Sequence, residues 1–185
     1  MKYCSIDVET TGLNPETCDL LEVGAVIDDL DSPQDLQSLP TFHCYVLKPN
    51  YKGEPFALSM HPTIFKRIAN KEAPYKYIAE EAVITSLAKF LTAHFGDGKV
   101  TVAGKNFLGL DKPFLSKLPS FNLLQPKFHH RVIDPGMLYW KPRVDKEVPS
   151  SKECMTRAGL AGEVAHTAVE DALMVVKLVR AKVLE

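Results

Sequence analysis

In the N-terminal part of the chain, apolar positions fall into three short β-prone runs. Residues 3–8 (YCSIDV) are small or apolar except for Asp7, residues 20–27 (LLEVGAVI) are apolar except for Glu22, and residues 41–47 (TFHCYVL) are β-branched and aromatic. Such runs predict strands. The breaker sequence Thr10-Thr11-Gly12-Leu13-Asn14-Pro15 and the polar, proline-containing stretch 28–40 predict the loops that join them into a meander. Beyond Pro49 the spacing lengthens. Residues 62–68 predict a short helix with Pro62 in its first turn. Between residues 77 and 95, Ile78, Ala82, Val83, Leu87, Phe90, Leu91 and Phe95 keep the three-and-four spacing of an amphipathic helix, which Gly96-Asp97-Gly98 stops. Residues 99–103 return to strand, 111–118 read as a short helix entered through Asp111 with Pro113 in its first turn, and 131–133 read as a last short strand. Residues 134–153, with Pro135, Pro142 and Pro149, read as mostly irregular, and Ala168, Ala172, Val175, Val176, Val179 and Val183 mark a closing helix over 167–184. Three strands followed by alternating helices and strands predict an α/β domain, a mixed sheet covered by helices.

Composition changes this picture little. A chain of 185 residues, 45% hydrophobic and 24% charged, predicts one self-sufficient domain over 1–185. The N-terminal run Met1-Lys2-Tyr3-Cys4-Ser5-Ile6-Asp7 lacks the apolar stretch of a signal peptide, and no segment approaches the length of a membrane span. Cys4, Cys18, Cys44 and Cys154 form no C-x-x-C pair, so they are expected to be reduced thiols in a cytoplasmic protein. With 22 Lys+Arg against 23 Asp+Glu, the chain does not hold nucleic acid by overall charge alone. That balance still permits an acidic site whose sign bound cations would reverse.

Asp7 and Glu9 stand two apart on a predicted strand, so their side chains leave the same face and can share one ion. Two carboxylates at that spacing suit a hard cation such as Mg²⁺ or Mn²⁺. An edge strand running into solvent gives the same pattern, but Tyr3, Cys4 and Ile6 mark a buried strand, where unpaired charge is costly. Asp111 reads equally as a helix N-cap and as a ligand, and Asn106 in the loop before it suits a turn or a ligand. His166 and Asp171 would lie about 140° apart on one ideal helix. Thr167-x-x-Glu170 fits a capping box, which leaves His166 outside the helix and Asp171 in its first full turn, so that both can point at one site. A surface histidine and an acid complementing the helix dipole is the alternative.

The run Ile6-Asp7-Val8-Glu9-Thr10-Thr11-Gly12-Leu13 resembles the first motif of the DEDDh 3′→5′ exonucleases of the DnaQ-like superfamily, which includes proofreading subunits, ribonuclease T and oligoribonuclease. Asn106-Phe107-Leu108-Gly109-Leu110-Asp111-Lys112-Pro113-Phe114-Leu115 is similar to the second motif in its longer-spaced, oligoribonuclease form, with Lys105 where the proofreading form carries histidine. His166-Thr167-Ala168-Val169-Glu170-Asp171-Ala172 resembles the third motif. The resemblance covers nearly the whole chain and implies a ribonuclease H-like fold, a five-stranded mixed β-sheet flanked by α-helices. It implies two divalent ions, Mg²⁺ or Mn²⁺, bound by Asp7, Glu9, Asp111 and Asp171, with His166 as general base, and release of nucleoside 5′-monophosphates.

By the same resemblance Thr10 and Leu13 hold the terminal nucleotide, Leu13 as an apolar wedge, with Asn106 close by. Segment 57–62 would add contacts through His61, although a helix-entry turn with a surface His61 reads the same. Glu22 is then an acid behind the ligands, or simply a buried polar group paired across the sheet. Lys66, Arg67, Lys105, Lys112, Arg131, Lys141 and Arg143 offer a track for a single strand, or an ordinary solvated surface. The expected partners are 3′ ends of single-stranded DNA or RNA, with DNA placed slightly ahead. The alternatives are an RNA-preferring exoribonuclease of the oligoribonuclease or ribonuclease T kind, and a catalytically silent module that binds nucleic acid or a polymerase. All five site residues are present, which counts against the silent module. Since Glu185 follows closely on the helix carrying Asp171, no obligatory polymerase partner is expected.

Overall fold

The structure, a computed structural model, describes residues 1–160 and 167–184. Its elements run β1 (Lys2–Thr10), β2 (Leu20–Asp29), β3 (Thr41–Leu47), α1 (Pro55–Met60), α2 (Pro62–Asn70), β4 (Tyr77–Ala79), α3 (Glu80–Phe95), β5 (Val100–Ala103), α4 (Asp111–Lys117), β6 (Phe128–Ile133), α5 (Pro135–Tyr139), α6 (Ser151–Arg157) and α7 (Ala168–Val183). The strands form one mixed sheet in the order β4-β3-β2-β1-β5-β6. β1, β2 and β3 make the expected antiparallel meander, and β4, β5 and β6 each join their neighbour in parallel.

β1 lies between β2 and β5, so both of its edges are paired; helices cover both of its faces, and its alternation divides the core. Cys4, Ile6 and Val8 pack with Val83, Leu87 and Leu91 of α3 and Phe114 and Leu115 of α4. Tyr3 turns the other way and packs with Ala172, Val175, Val176 and Val179 of α7. Asp7 and Glu9 share the parity of Tyr3, so strand period alone aims both acids at the α7 side.

The sheet has six strands where five were expected. Residues 77–79, grouped by spacing with the following helix, instead pair with β3 through Tyr45↔Tyr77 and Val46↔Ile78. Tyr77 packs beside Tyr45 while Ile78 packs against the opposite cluster, an alternation too short to read from sequence. α3 therefore starts at Glu80, and it ends at Gly96 as expected, where φ is 58° and the Gly96 N–H closes on Thr92 O at 2.8 Å. The stretch expected to be irregular holds two short helices, α5 entered through Asp134 and Pro135, and α6 capped by Ser150. All four cysteines are free and buried. Among the described residues, no helix is long and apolar enough to cross a membrane.

Candidate active site

Asp7 stands directly opposite Gly24, and Glu9 opposite Glu22, across the β1–β2 ladder. The lack of a side chain at Gly24 admits α7: a Cβ there would lie 2.3 Å from the Ala168 carbonyl carbon and 2.4 Å from Val169 N. The first turn of α7 is thus seated on the sheet beside Asp7. Thr167 is its N-cap and accepts from Glu170 N, while the Thr167 hydroxyl donates to Glu170 Oε2 at 2.6 Å, a variant of the expected capping box. Asp171 follows in the first turn. Ligand atoms of Asp7, Glu9 and Asp171 lie within 4.8 Å of one another.

Asp111 joins these acids differently. Its backbone begins α4, but the N-cap position belongs to Leu110, and the side chain caps nothing. Instead Asp111 Oδ1 accepts the Val8 N–H at 3.0 Å, and the residue is only 2% exposed. Of its two readings, helix cap and ligand, the cap is not made; this oxygen instead fastens α4 to β1. The cluster of three does not include it, yet its charge reaches both Asp7 and Glu9.

The electrostatics follow from this crowding. Burial first, then the charges of Asp111, Glu9 and Asp171, push the Asp7 carboxyl well above the usual range. Burial and the charges of Asp171, Glu22 and Asp111 push Glu9 up to about 8. Burial raises Asp111 to about 7 against the hydrogen bonds that favour its anion. Carboxylates so raised hold protons that a divalent cation would displace, and all-oxygen donors suit a hard cation. The residues fit such an ion.

His61, for which a surface turn was an alternative, is buried at the junction of α1 and α2, with Nε2 3.7 Å from Glu9 Oε2. Glu54 N donates to Thr11 O at 2.8 Å, tying the start of α1 to the β1–β2 turn. On that turn Thr10 Oγ1 donates to Gly12 O at 2.7 Å, and Leu13 projects with 74% of its surface exposed. Asn106 is exposed and left-handed, with φ 56°, and its N–H donates to Asp134 Oδ2 at 3.0 Å. Asp134 also caps α5 through Gly136 N at 2.7 Å, so it joins the second-motif loop to that helix, a role for which the sequence carried only the cap signal Asp134-Pro135. Lys105, the departure in the second motif, lays its ammonium over Gly136. Of the basic residues suggested as a strand track, Arg67 is engaged inside the protein, donating to Tyr45 OH at 2.8 Å. His43, unremarked in the sequence, holds Glu22 Oε1 through Nε2 at 2.8 Å. His166 lies outside the described residues.

Comparison with known proteins bears on the family and the fold. The family model RNase_T, described as exonuclease, matches residues 4–179. An oligoribonuclease of Vibrio campbellii is 26% identical over 148 residues, covering 75% of this chain and 76% of that protein. Among solved structures, E. coli exonuclease I in complex with a dT13 oligonucleotide superposes with a TM-score of 0.67 at 17% identity, over 98% of this chain. This chain spans only 41% of that protein. Cell-death related nuclease 4 gives a TM-score of 0.68 at 15% identity, over 97% of this chain and 62% of its own. At these identities the structural matches speak for the fold.

Proposed function

Since the chain belongs to the RNase_T exonuclease family, among the DnaQ-like 3′→5′ exonucleases, we propose that it hydrolyses the 3′-terminal phosphodiester bond of single-stranded nucleic acid and releases nucleoside 5′-monophosphates. The observation that carries this reading is the convergence of Asp7, Glu9 and Asp171, from a strand and a distant helix, within 4.8 Å. Asp7, Glu9, Asp111 and Asp171 would hold two divalent ions, Mg²⁺ or Mn²⁺. When bound, such ions supply Lewis-acid stabilisation of phosphate charge and a water acidified toward neutrality. Asp111 Oδ1 is turned to Val8 N, which makes its other oxygen the proposed ligand atom. His166 takes the proton of the attacking water at an imidazole nitrogen, since imidazole titrates near neutrality. Thr10, Leu13, His61 and Asn106 hold the terminal nucleotide, with exposed Leu13 against its base. The enzyme would work in the cytoplasm without an obligatory polymerase.

DNA is the first substrate under this reading. Short RNA is the second, favoured by the oligoribonuclease relative and the spacing of the second motif. A digestion panel of 5′-labelled DNA and RNA, single- and double-stranded, blocked at either end, tests both. Blocking the 3′ end should protect and blocking the 5′ end should not; chelator should stop release. A preference for RNA above about tenfold would select the second reading. Asp7→Ala or His166→Ala should remove metal-dependent release of mononucleotides, and retention of more than about a tenth of the activity would refute the assignment.

A further inference from the structure

Two rungs of the sheet pass under the acid cluster on its α7 side. One runs Asp7, Gly24, His43 and the other Glu9, Glu22, Tyr45, each across β1, β2 and β3. Residues directly opposite on antiparallel strands project from the same face with Cβ atoms about 4.5–5.5 Å apart, and diagonal neighbours two residues along are within reach of long side chains. Glu9 and Glu22 are therefore neighbouring carboxyl groups, with side-chain exposures of 13% and 1%. Like charges so placed repel, and an apolar residue at position 22 would pack there without that cost. Packing alone gives no reason for the acid.

His43 holds it. From its place opposite Gly24, which has no side chain, the His43 ring reaches diagonally to Glu22, and its Nε2 lies 2.8 Å from Oε1. The ring is itself packed against two tyrosines: Tyr45 meets it edge-on with centroids 4.8 Å apart, and Tyr75 lies at 5.7 Å. Arg67 fastens both, donating to Tyr45 OH at 2.8 Å and sitting 4.3 Å over the Tyr75 ring. One oxygen of Glu22 is thus held by β3, the neighbour of β2 on the side away from Glu9.

We infer that His43 is a positioning residue for the metal site: by holding Glu22 Oε1 toward β3, it leaves the Glu9 carboxylate free to take the orientation that a divalent ion requires. Without that hold, Glu22 is free to swing onto its rung neighbour and disturb Glu9. His43 acts here through Glu22, as the outer partners of metal ligands do. That Glu9 binds an ion rests on the exonuclease reading; the contact between His43 and Glu22 does not.

Mn²⁺ titrated calorimetrically into the full chain tests this without turnover. His43→Phe keeps a ring against Tyr45 and Tyr75 but has no donor, and it should weaken Mn²⁺ binding by about tenfold. His43→Gln, whose amide N–H₂ stands about where Nε2 does, should restore binding to within about threefold of the unmodified protein. His43→Asn, with an amide too short to reach Glu22, carries the same expectation as His43→Phe and replaces it if that variant does not fold. In a Glu22→Gln background, His43→Phe should change the affinity by less than about threefold, because the side chain it acts through is already altered. Cleavage of a 5′-labelled oligonucleotide by His43→Phe should be low at limiting Mn²⁺ and recover as the ion saturates. A purely structural pair would instead lower the thermal midpoint of His43→Phe and leave Mn²⁺ binding unchanged, and that result overturns the inference. So does a loss of equal size in the Glu22→Gln background. Absence of Mn²⁺ binding by the unmodified protein would overturn the metal reading as well, whereas binding insensitive to His43 overturns this inference alone.

Discussion

Gly24→Ala isolates the contact that brings the two halves of the ligand set together. The added Cβ would stand 2.3 Å from the Ala168 carbonyl carbon, 2.4 Å from its oxygen and 2.4 Å from Val169 N. All three are backbone atoms of the first turn of α7, so no side chain can swing aside. Since carbon contacts settle at about 3.5 Å, the helix must retreat from β2 by about 1 Å. Overpacking of this kind costs about 1–3 kcal/mol. Asp171, one turn along the same helix, retreats with it, while Asp7 stays on β1 opposite residue 24. A displacement of about 1 Å in a reacting constellation costs on the order of 10²-fold. The assay is kcat/KM on a 5′-labelled single-stranded oligonucleotide, beside urea unfolding of the same preparation. Gly96→Ala is the control: a Cβ there meets nothing within 4 Å, but φ is 58° and ψ −134°, so stability should fall by about 1–3 kcal/mol with activity kept. Activity of Gly24→Ala within about threefold of the unmodified protein would refute the idea that this close approach sets Asp171.

Three further outcomes follow from the geometry. Glu9 at about 8 and Asp111 at about 7 are raised above their unfolded values, so the stability tied to their protonated forms is complete below about pH 4 and lost as pH rises through 7 and 8. The thermal midpoint of metal-free protein should therefore fall between pH 5 and pH 8, and Mn²⁺ should bind more tightly at pH 8 than at pH 6; a flat midpoint with pH-independent affinity would count against proton–metal competition. Arg180→Ala removes a bidentate pair to Asp28, at 2.6 and 3.0 Å, and strands a buried carboxylate that also accepts from Tyr3 OH. Urea unfolding should show a loss of about 3–5 kcal/mol. Burial raises the Asp28 carboxyl but the hydrogen bonds from Arg180 and Tyr3 outweigh it, so its pKa is lowered and its share of stability, present above about pH 4, is lost in acid. The variant should lose that part of the acid dependence. Asp111→Asn keeps an acceptor for Val8 N–H, so stability should change by less than about 1 kcal/mol while metal-dependent cleavage is lost; the opposite pattern would make Asp111 structural.

Much of the frame was legible because it rests on local period. The three N-terminal strands, the body of α3 and the cap and body of α7 declare themselves in residue spacing. Short elements did not: β4, α1, α5 and α6 are too brief for a period to emerge, and the prolines around α5 and α6 suggested irregularity although Asp134-Pro135 and Ser150-x-x-Glu153 were cap signals. At the site, Asp7 and Glu9 followed from alternation on one strand. Asp111 did not, since its partner Val8 is 103 positions away and a cap was the nearer explanation. His61 and His43 were equally opaque, because the partner of each is an acid on another strand, set by register and packing rather than by neighbours in sequence.

α7 brings its own attachments. Its N-terminal cap lies within Thr167 and Glu170, its apolar face within Ala172 to Val179, and its far end is clamped to Asp28 by Arg180. A helix held this way takes its position from the sheet. Insertions or deletions between α6 and His166 are therefore expected to leave Asp171 in register with Asp7.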